Sequence, residues 1–470
     1  ELFFTKEVAG LSLPLPLQQG EKIVPTWILF LRWKDGRREV QPLTSSIALP
    51  NGEKVFVHPE PGPPELRLCG WSKESRRQWL SGEPTPNPAE VFAKICELLS
   101  YFVDFPKEDG PAIVATLATW VFLTYTYSTW TAVPYLHITG PIGSGKTRLA
   151  EVLAKLAFRP CWTSSVTPAY LFRSAHHYGG SYFFDEMENW NTRDSVVSEL
   201  LSILLAGYRR GGKACRLEPT VDGGFRAIAF DCFGPKVIIS IGGLPSALAS
   251  RTISVRMLRS PTESPRPSRL LDSRNEDFQK VKDALHAIAL ECGGEVQELA
   301  NRPSALPGLA GRNAELWRPL IGLAGWLEGY GAEGLKELLH EFALRASEAA
   351  AEDSIPEVDS ILLKLLADSL QGGRRPSPSE LQGLAESKSP ALFRSWSSKM
   401  VSAKLKKYGI IAQKTSGQRI YGWDCQAQLL EIQRRYKVDL GISEGGISSE
   451  NRPFAPLSTL SDPPQEGETP

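Results

Sequence analysis

Residues 140–147 carry the strongest chemical signal in the sequence, because glycines, a lysine and a threonine stand there between an apolar run and a helical pattern. The segment reads GPIGSGKT and matches G-x-x-x-x-G-K-[ST] at every fixed position. Glycines let backbone N–H groups turn toward phosphate oxygens, and the N-terminus of the following helix adds partial positive charge. The pattern therefore predicts a loop that binds ATP together with Mg²⁺. We expect the contacts from Gly140, Pro141, Ile142, Gly143, Ser144, Gly145, Lys146 and Thr147.

Two residues of this loop have separate expected roles. Lys146 would reach the β- and γ-phosphates, and the Thr147 hydroxyl would be a metal ligand. The flanks agree, since PYLHIT before the loop is typical of a strand and TRLAEVLAKLAF after it is typical of an amphipathic helix. A chance glycine turn before a helix is the alternative, and two correct flanks argue against it.

A pair of acids follows the next short apolar segment. The sequence SYFFDE places Asp185 and Glu186 at the end of a predicted strand. Asp185 would hold Mg²⁺ through water, and Glu186 would polarise the attacking water. A solvated strand end is the alternative, and it is common for an Asp-Glu pair without a phosphate loop upstream.

Two further candidates lie in the segment 236–257, KVIISIGGLPSALASRTISVRM. Ser240, or the backbone just after it, stands where a strand beside the metal strand would end and could sense the γ-phosphate. Arg251 lies past a short turn, before another apolar strand. It is either a surface arginine or an arginine finger that reaches the nucleotide of a neighbouring subunit, and spacing alone does not choose between them.

The elements that must position these residues alternate between strands and helices from residue 133 onward, which predicts an α/β fold with a parallel sheet.

Turn-rich and proline-rich breaks divide the rest of the chain. The predicted parts are a β-rich N-terminal region (1–87), an ATPase core with preceding helices (88–262), a helical lid (263–372), a winged helix (376–425) and a disordered tail (441–470).

Composition narrows the class of protein. The 470 residues include 53 Lys and Arg against 53 Asp and Glu, so any basic surface must be local. The 7 cysteines form no C-x-x-C pair, which disfavours a zinc ribbon and fits the cytoplasm.

Residues 111–145 contain no charged side chain, as a membrane span would require. Threonines and tyrosines lower the hydrophobicity of the segment, so we expect a buried helix and no membrane partner. Because the sequence begins at Glu1, it can be part of a longer chain.

The order of these segments resembles that of AAA+ helicase modules from plasmids, phages and integrated mobile elements. Those modules are similar to the minichromosome-maintenance and superfamily 3 helicases, and they are often fused to, or encoded beside, a primase-polymerase. The resemblance covers residues 105–370. It implies a P-loop AAA+ core with a helical lid, and ATP hydrolysis at the subunit interfaces of a hexameric ring. The segments that carry it are HITGPIGSGKTRLAEVL, VTPAYLFRSAHHYGGSYFFDEMENW, ELLSILLAGYRRGG, DCFGPKVIISIGGLPSALASRTISVRMLR and RNAELWRPLIGLAGW.

The resemblance also implies roles for particular residues. It implies Ser240 near the first sensor and Arg251 as a finger acting in trans, in addition to the loop and the acids. In GRNAELWRPL, Arg312 matches the arginine that starts a lid helix and would be the second sensor, with Arg318 as a competitor. Exposed helix arginines are the alternative for both. The chain departs from the pattern at the first sensor, where many AAA+ proteins have Asn and this strand reads Ile-Ser-Ile-Gly.

Two basic segments suggest a nucleic-acid partner. KACRLE and FRAIAF, within residues 207–231, predict a β-hairpin, and ring helicases of this type carry a hairpin there that points into the central channel. Lys213, Arg216 and Arg226 would then contact the phosphates of single-stranded DNA. The alternative is a solvated hairpin, with the arginines at 209–210 paired to nearby acids.

The second basic segment, residues 391–424, has seven basic residues and one acid. A helix followed by two short strands is a winged-helix pattern, and its lysines would face a DNA groove or backbone, including that of duplex DNA. Protein contact is the alternative, and no side chain offers a clear base code. The lysines are Lys399, Lys404, Lys406 and Lys407.

The sequence as a whole predicts an ATP-dependent DNA helicase or translocase of a mobile element. It would form a ring that moves along single-stranded DNA during replication, in some cases beside a primase-polymerase. Two alternatives remain: an AAA+ loader or remodeller without unwinding activity, and a DNA-binding regulator with a nucleotide switch. The paired acids at 185–186 speak against a pure switch, which needs no efficient water activator.

Overall fold

Four antiparallel strands open the chain, in the order β1 to β4, and two short strands pair beside them. Strand β2 contains prolines at positions 14 and 16, beyond its pairing with β1 at residues 9–11, where no ladder hydrogen bond is required of them. The β-rich N-terminal region is thus observed. The strands are β1 (Leu2–Phe4), β2 (Val8–Gln19), β3 (Lys22–Trp33), β4 (Arg38–Pro42), β5 (Ser46–Ala48) and β6 (Lys54–Phe56).

The computed structural model describes most of the chain, and the predicted tail from residue 443 onward lies outside the described residues. It divides into two units, Glu1–Ala346 and Ser347–Pro470. This boundary falls inside the range predicted for the helical lid, and the five-part division stays a prediction. The described ranges are 2–19, 22–57, 62–63, 70–188, 190, 194–220, 223–302, 305–352, 356–415, 417–436 and 438–442.

Three helices lead into the central sheet: α1 (Lys73–Leu80), α2 (Pro88–Phe102) and α3 (Gly110–Thr124). Helix α3 is buried along nearly its whole length, as expected from the uncharged stretch that contains it. At 15 residues it is about 22 Å long, well short of a bilayer core. Among the described residues, no helix combines the length and apolarity that a membrane span needs.

The central sheet has five parallel strands in the order β13-β7-β12-β9-β8, which confirms the predicted α/β architecture. Strands β7 and β12 lie inside the sheet, with a paired strand along each edge. Both are mainly apolar and buried, as is typical of parallel strands that are covered on both faces. The elements are β7 (Tyr135–Thr139), α4 (Lys146–Leu156), β8 (Pro160–Thr163), α5 (Pro168–Tyr178), β9 (Ser181–Phe184), α6 (Ser195–Ala206), β10 (Lys213–Pro219), β11 (Phe225–Asp231), β12 (Lys236–Ser240), α7 (Ser246–Ala249) and β13 (Thr252–Arg256).

Long helices follow the sheet: α8 (Asn275–Asn301), α9 (Gly311–Glu328) and α10 (Leu335–Glu352). Helix α8 also packs on the N-terminal strands. Phe4 lies so close to α8 that a Cβ added at Gly293 would stand 2.0 Å from its ring. Arg32 and Arg38 both pair with Glu291 of α8, at 2.5 and 2.8 Å. The N-terminal sheet therefore shares one hydrophobic core with the central sheet.

The second unit has a core of its own. Its fourth helix is followed by a two-stranded antiparallel hairpin, the order of elements that the sequence predicted. The interpretation of this unit as a winged helix stays a prediction. The elements are α11 (Glu357–Gln371), α12 (Pro378–Lys388), α13 (Pro390–Phe393), α14 (Ser398–Lys406), β14 (Gln413–Thr415), β15 (Gln418–Ile420) and α15 (Cys425–Tyr436).

Candidate active site

The glycine-rich loop connects the end of β7 to the start of α4, with Gly145 as the residue before the helix. Gly140, Gly143 and Gly145 have φ of +149°, +76° and +85°, a region that side chains disfavour. At Gly140 the loop also passes close to the backbone after β13, since an added Cβ would stand 2.3 Å from the carbonyl oxygen of Met257. The glycines at these positions are therefore a structural requirement of the loop.

The side chains of the loop fit a bound phosphate group. The ammonium of Lys146 donates to the carbonyl oxygens of Gly140 and Pro141, at 2.8 and 3.1 Å, so it lies over the loop. Thr147 is exposed on the first turn of α4. The Ser144 hydroxyl is buried, and it has no hydrogen-bond partner within the described part of the chain. A buried donor without a partner inside a glycine cradle is suited to an anionic ligand.

The outer part of the loop, Pro141 to Gly143, is exposed. Arg259 donates from Nε to the carbonyl oxygen of Ile142, at 3.2 Å, and so adds a positive charge beside the loop. Sequence reasoning did not single out Arg259, although it is the last residue of the segment 231–259 quoted above, because its contact with the loop after β7 depends on the pairing of β13 with β7.

Asp185 and Glu186 follow β9 directly, at the same edge of the sheet as the loop. The carboxyl ends of parallel strands meet at one edge, which is where ligands bind in such sheets. Asp185 accepts the Glu186 N–H on Oδ1 at 2.9 Å, and its own N–H donates to Thr163 at 3.0 Å. Glu186 is exposed and has φ of +58°, a left-handed conformation that is uncommon outside glycine.

The donor set suits magnesium bound with a nucleotide. Mg²⁺ usually takes one or two protein oxygens and completes its shell with phosphates and water. Thr147 and Asp185 would supply those oxygens. Within the described ranges, no group of three or more His, Cys, Asp or Glu could hold a metal ion by itself.

Ser240 ends β12 and is held beneath the edge of the sheet. Its hydroxyl donates to the carbonyl oxygen of Gly242 at 2.8 Å and lies 2.9 Å from Nε2 of His137, on β7. Burial lowers the pKa of His137 to about 4, so its ring is neutral at neutral pH. The Ser240 side chain is thus bonded within the protein. His137 was missed, although an imidazole inside the apolar run YLHI is unusual.

Glu188 was also missed, although DEMEN places it only two residues after Glu186. Its carboxylate accepts the N–H groups of Ile241 at 2.8 and 2.9 Å and of Gly242 at 3.2 Å. The N–H of Met187 donates to Ile239, at 3.1 Å. The loop that carries the acids is therefore joined to the loop after β12.

Arg251 and Arg312 lie together at the other end of the sheet. The carbonyl oxygen of Arg251 accepts from the N–H of Tyr135, the first residue of β7, whereas the phosphate loop follows the last residue of that strand. The guanidinium groups of Arg251 and Arg312 are 5.7 and 5.4 Å from the centre of the Tyr208 ring. Within one chain, neither arginine is brought to the glycine-rich loop.

The surroundings of these arginines keep them close despite their like charges. Burial and the charge of Arg312 lower the pKa of Arg251. Glu315 pairs with Arg312 at 3.5 Å and also with Arg209. Arg318, the competitor for Arg312, lies on the exposed side of α9.

The predicted hairpin is confirmed as β10 and β11, which pair from Lys213↔Asp231 to Pro219↔Phe225. Lys213 and Arg226 are exposed. Arg216 instead pairs with Glu199 and lies 4.7 Å from the ring of Phe172.

The outward face of the hairpin is mainly apolar. Leu217 and Phe225 are 70% and 73% exposed near its tip, with Lys213 at its base. This face was not expected from the basic residues on which the sequence interpretation was based.

In the second unit, three of the four lysines predicted to contact DNA are exposed, and the fourth is held in an ion pair. Lys399, Lys406 and Lys407 project into solvent. Lys404 pairs at 3.1 Å with Asp359 of α11, a carboxylate that is only 3% exposed. This ion pair joins α14 to α11.

The hairpin of the second unit adds two basic side chains that were not singled out. Lys414 and Arg419 stand directly opposite each other on β14 and β15, and both are exposed. Like charges in such a pair destabilise a sheet, so an anionic partner would be favourable here.

Comparisons with known proteins returned solved structures only. No protein-family model and no curated protein matches the sequence. A structure titled "SCCmec type IV Cch - active helicase" is 10% identical over 91% of this chain and 98% of that one, with a TM-score of 0.37.

Two further solved structures illustrate the range of matches. The JCV helicase is 16% identical over 55% of this chain and 71% of its own, with a TM-score of 0.24. Drosophila ORC bound to DNA is 11% identical over 77% and 99%, with a TM-score of 0.18. These TM-scores are too low to establish a common fold, so the interpretation of the site rests on its own geometry.

Substituting Gly140 by Ala should destabilise the loop far more than substituting Gly145. The added methyl group at Gly140 meets the Met257 carbonyl and a disfavoured φ, whereas at Gly145 nothing lies within 4 Å and only the φ is unfavourable. We expect Gly145→Ala to cost about 1 kcal/mol of unfolding free energy, and Gly140→Ala about 2 kcal/mol or more. Urea unfolding of the two variants tests this, and equal losses would contradict the described close approach.

Proposed function

We propose that the chain hydrolyses ATP and uses the energy to move along DNA. The observation that carries this proposal is the shared edge of the central sheet, where a complete phosphate loop and the pair Asp185-Glu186 follow strands β7 and β9. A loop alone would serve binding. A loop with an exposed glutamate at the same edge supports hydrolysis.

The residues divide the chemistry between them. Backbone N–H groups of the loop and the Lys146 ammonium would hold the phosphates and balance their charge. Thr147 and Asp185 would hold Mg²⁺, which neutralises charge on the phosphate oxygens when bound. Glu186 would orient the attacking water and accept a hydrogen bond from it. The buried Ser144 hydroxyl would donate to the ligand.

The placement of Arg251 supports a ring. Because Arg251 and Arg312 lie at the end of the sheet opposite to their own loop, they can assist hydrolysis only at the site of a neighbouring subunit. Head-to-tail contacts of that kind close into rings, and a hexamer is the ring we propose. Arg312 would then act on the same neighbouring site as Arg251, because both guanidinium groups lie beside Tyr208. A positive charge placed in this way accelerates phosphoryl transfer by about 10³- to 10⁵-fold.

Single-stranded DNA is the proposed substrate of the movement. On the β10–β11 hairpin, Lys213 and Arg226 are exposed for phosphate contact, while Arg216 supports the hairpin through Glu199. In the second unit, the exposed lysines of α14 and the Lys414–Arg419 pair form a basic surface for the DNA backbone, including duplex DNA.

The fuller proposal is a helicase of a mobile genetic element that acts in replication in the cytoplasm, beside a primase-polymerase. Its support is the order of sequence segments described above. The five-part division of the chain, with a lid at 263–372 and a winged helix at 376–425, belongs to the same proposal.

A protein remodeller or loader is the second candidate, and the hairpin favours it. The exposed apolar pair Leu217 and Phe225 suits a protein substrate as well as stacked bases. Stimulation of turnover separates the two candidates, because only a DNA motor should respond to single-stranded DNA.

ATP turnover should rise several-fold on addition of single-stranded DNA, and Glu186→Gln should lower it about 10²- to 10⁴-fold while nucleotide binding persists. A phosphate-release assay measures turnover, and equilibrium binding of a fluorescent nucleotide measures affinity. Glu276→Gln, an exposed glutamate on the first turn of α8, is the matched control and should leave both unchanged.

Other outcomes of this experiment select other functions. Turnover that the Glu186 variant loses, but that DNA never stimulates, would favour the remodeller. Tight nucleotide binding without turnover in the native chain would favour a nucleotide-switched regulator and would contradict the proposal.

Mixing two inactive variants should restore turnover if the site is shared between subunits. Lys146→Ala removes the loop lysine and Arg251→Ala removes the finger. In a mixed ring about a quarter of the interfaces would join an intact loop to an intact finger. A mixture of Lys146→Ala with Glu186→Gln is the control, since both residues belong to the loop side and no interface is repaired. Recovery in neither mixture would argue against the shared site.

Substitutions of the lysines of α14 should have two different effects: some should weaken DNA binding, and one should destabilise the fold. Lys399 and Lys406 lie two turns apart on one exposed face, so their double change to Ala should weaken DNA binding and lower the slope of log K against log salt by about 1 to 2. Lys404→Ala leaves the buried Asp359 without its cation and should cost about 2 kcal/mol or more of unfolding free energy. Salt titrations of DNA binding and urea unfolding make the comparison. An unchanged slope in the double variant would contradict the proposed DNA surface.

A further inference from the structure

Glu188 joins the ends of two strands that both border the candidate active site, and the hydrolysis scheme leaves it without a role. It stands in the loop after β9, and its carboxylate accepts two backbone N–H groups just after β12, that of Ile241 on both oxygens and that of Gly242 on one. Hydrogen bonds from N–H groups to an ionised carboxylate are about twice as strong as those between neutral groups. We call this contact of Glu188 with Ile241 and Gly242 the clasp.

The clasp lies next to a strained residue. Glu186 has a left-handed φ of +58°, a conformation that costs a side-chain-bearing residue about 1 kcal/mol or more. Such a conformation persists only where neighbouring bonds impose it. On one side, the Glu186 N–H is held by Asp185. On the other, the Glu186 carbonyl oxygen accepts the Glu188 N–H at 2.9 Å, so the clasp fixes the residue that closes this turn.

The partner loop is itself anchored to the strand that carries the phosphate loop. The carbonyl oxygen of Ile241 accepts from the hydroxyl of Thr139, the last residue of β7, at 3.3 Å. The carbonyl oxygen of Gly242 accepts from Ser240, whose hydroxyl also contacts His137 of β7. The clasp therefore connects the water-activating acid to the base of the phosphate loop through one short chain of contacts.

We propose that Glu188 is a positioning residue for hydrolysis. Its carboxylate holds the loop after β12 and thereby keeps Glu186 in its left-handed turn, at the edge of the sheet where the glycine-rich loop lies. Glu188 acts through Glu186, since its own carboxylate is already bonded to the N–H groups of Ile241 and Gly242. This inference rests on the proposed function, because it assigns Glu188 to the same reaction.

The test compares Glu188→Ala and Glu188→Gln with the control Glu276→Gln. The glutamine keeps the length and one acceptor oxygen but loses the negative charge, so it should rescue part of what alanine loses. We expect kcat for ATP to fall about 10- to 100-fold in Glu188→Ala, and less in Glu188→Gln. KM and the affinity for ADP should stay within about threefold of the native values, because the phosphate loop is untouched.

Hydrogen exchange measured by mass spectrometry gives a readout independent of turnover. The amides of Ile241 and Gly242 donate to Glu188 in the native chain, so their exchange should accelerate in both Glu188 variants. Exchange in the buried helix α3 should not change. Faster exchange confined to the 239–244 segment would show that the variants lose the clasp and keep the fold.

Several outcomes would overturn the inference. Faster exchange at Ile241 with unchanged kcat would mean that the clasp does not position the acid. A fall in kcat matched by an equal loss of ADP affinity, or by faster exchange in α3, would mean a general structural role. If the native chain itself lacks ATP turnover, the proposed function fails and this inference fails with it. Native turnover that survives Glu188→Ala overturns the inference alone.

Discussion

Parallel pairing of β7 with β12, and of β12 with β9, is the constraint on which the site depends. Thr139 stands beside Ser240, and Ile238 stands beside Phe184, so all three strands end at one edge. Segments that lie far apart in the sequence meet there because their strands run in the same direction. The strands are held by burial on both faces, as the inaccessibility of the successive residues Val237 and Ile238 of β12 shows, because their side chains point to opposite faces of the sheet. A slip in this register would separate the acids from the glycine-rich loop.

Features that depend on neighbours in the sequence could be predicted from the sequence. The strand, the glycine loop and the helix at 135–156 form one local unit, and the hairpin at 213–231 is another. Asp185 and Glu186 could be found because they follow a short apolar run directly. Even the buried helix α3 was predicted, because a run of uncharged residues indicates burial wherever the segment lies.

Features that depend on distant partners could not be predicted. Whether Lys404 faces DNA or Asp359 is decided by the packing of α14 on α11, 45 residues apart in the chain. Arg312 lies beside Arg251 because α9 reaches Tyr208, and no spacing rule gives that contact. The role of Glu188 depends on backbone N–H groups, which every residue except proline has and which therefore leave no mark in the sequence.

The N-terminal strands pack against helix α8 and form part of the hydrophobic core of the first unit. The Phe4 ring packs directly on α8 at Gly293, and Glu291 of α8 pairs with one arginine from β3 and one from β4. A chain trimmed to begin at residue 88 would turn this apolar contact into exposed surface and leave a largely buried carboxylate without its counter-ions. Such a trimmed chain should be prone to aggregation even with every residue of the phosphate loop in place. The smallest folding unit that carries the loop is therefore larger than the candidate active site with its central sheet.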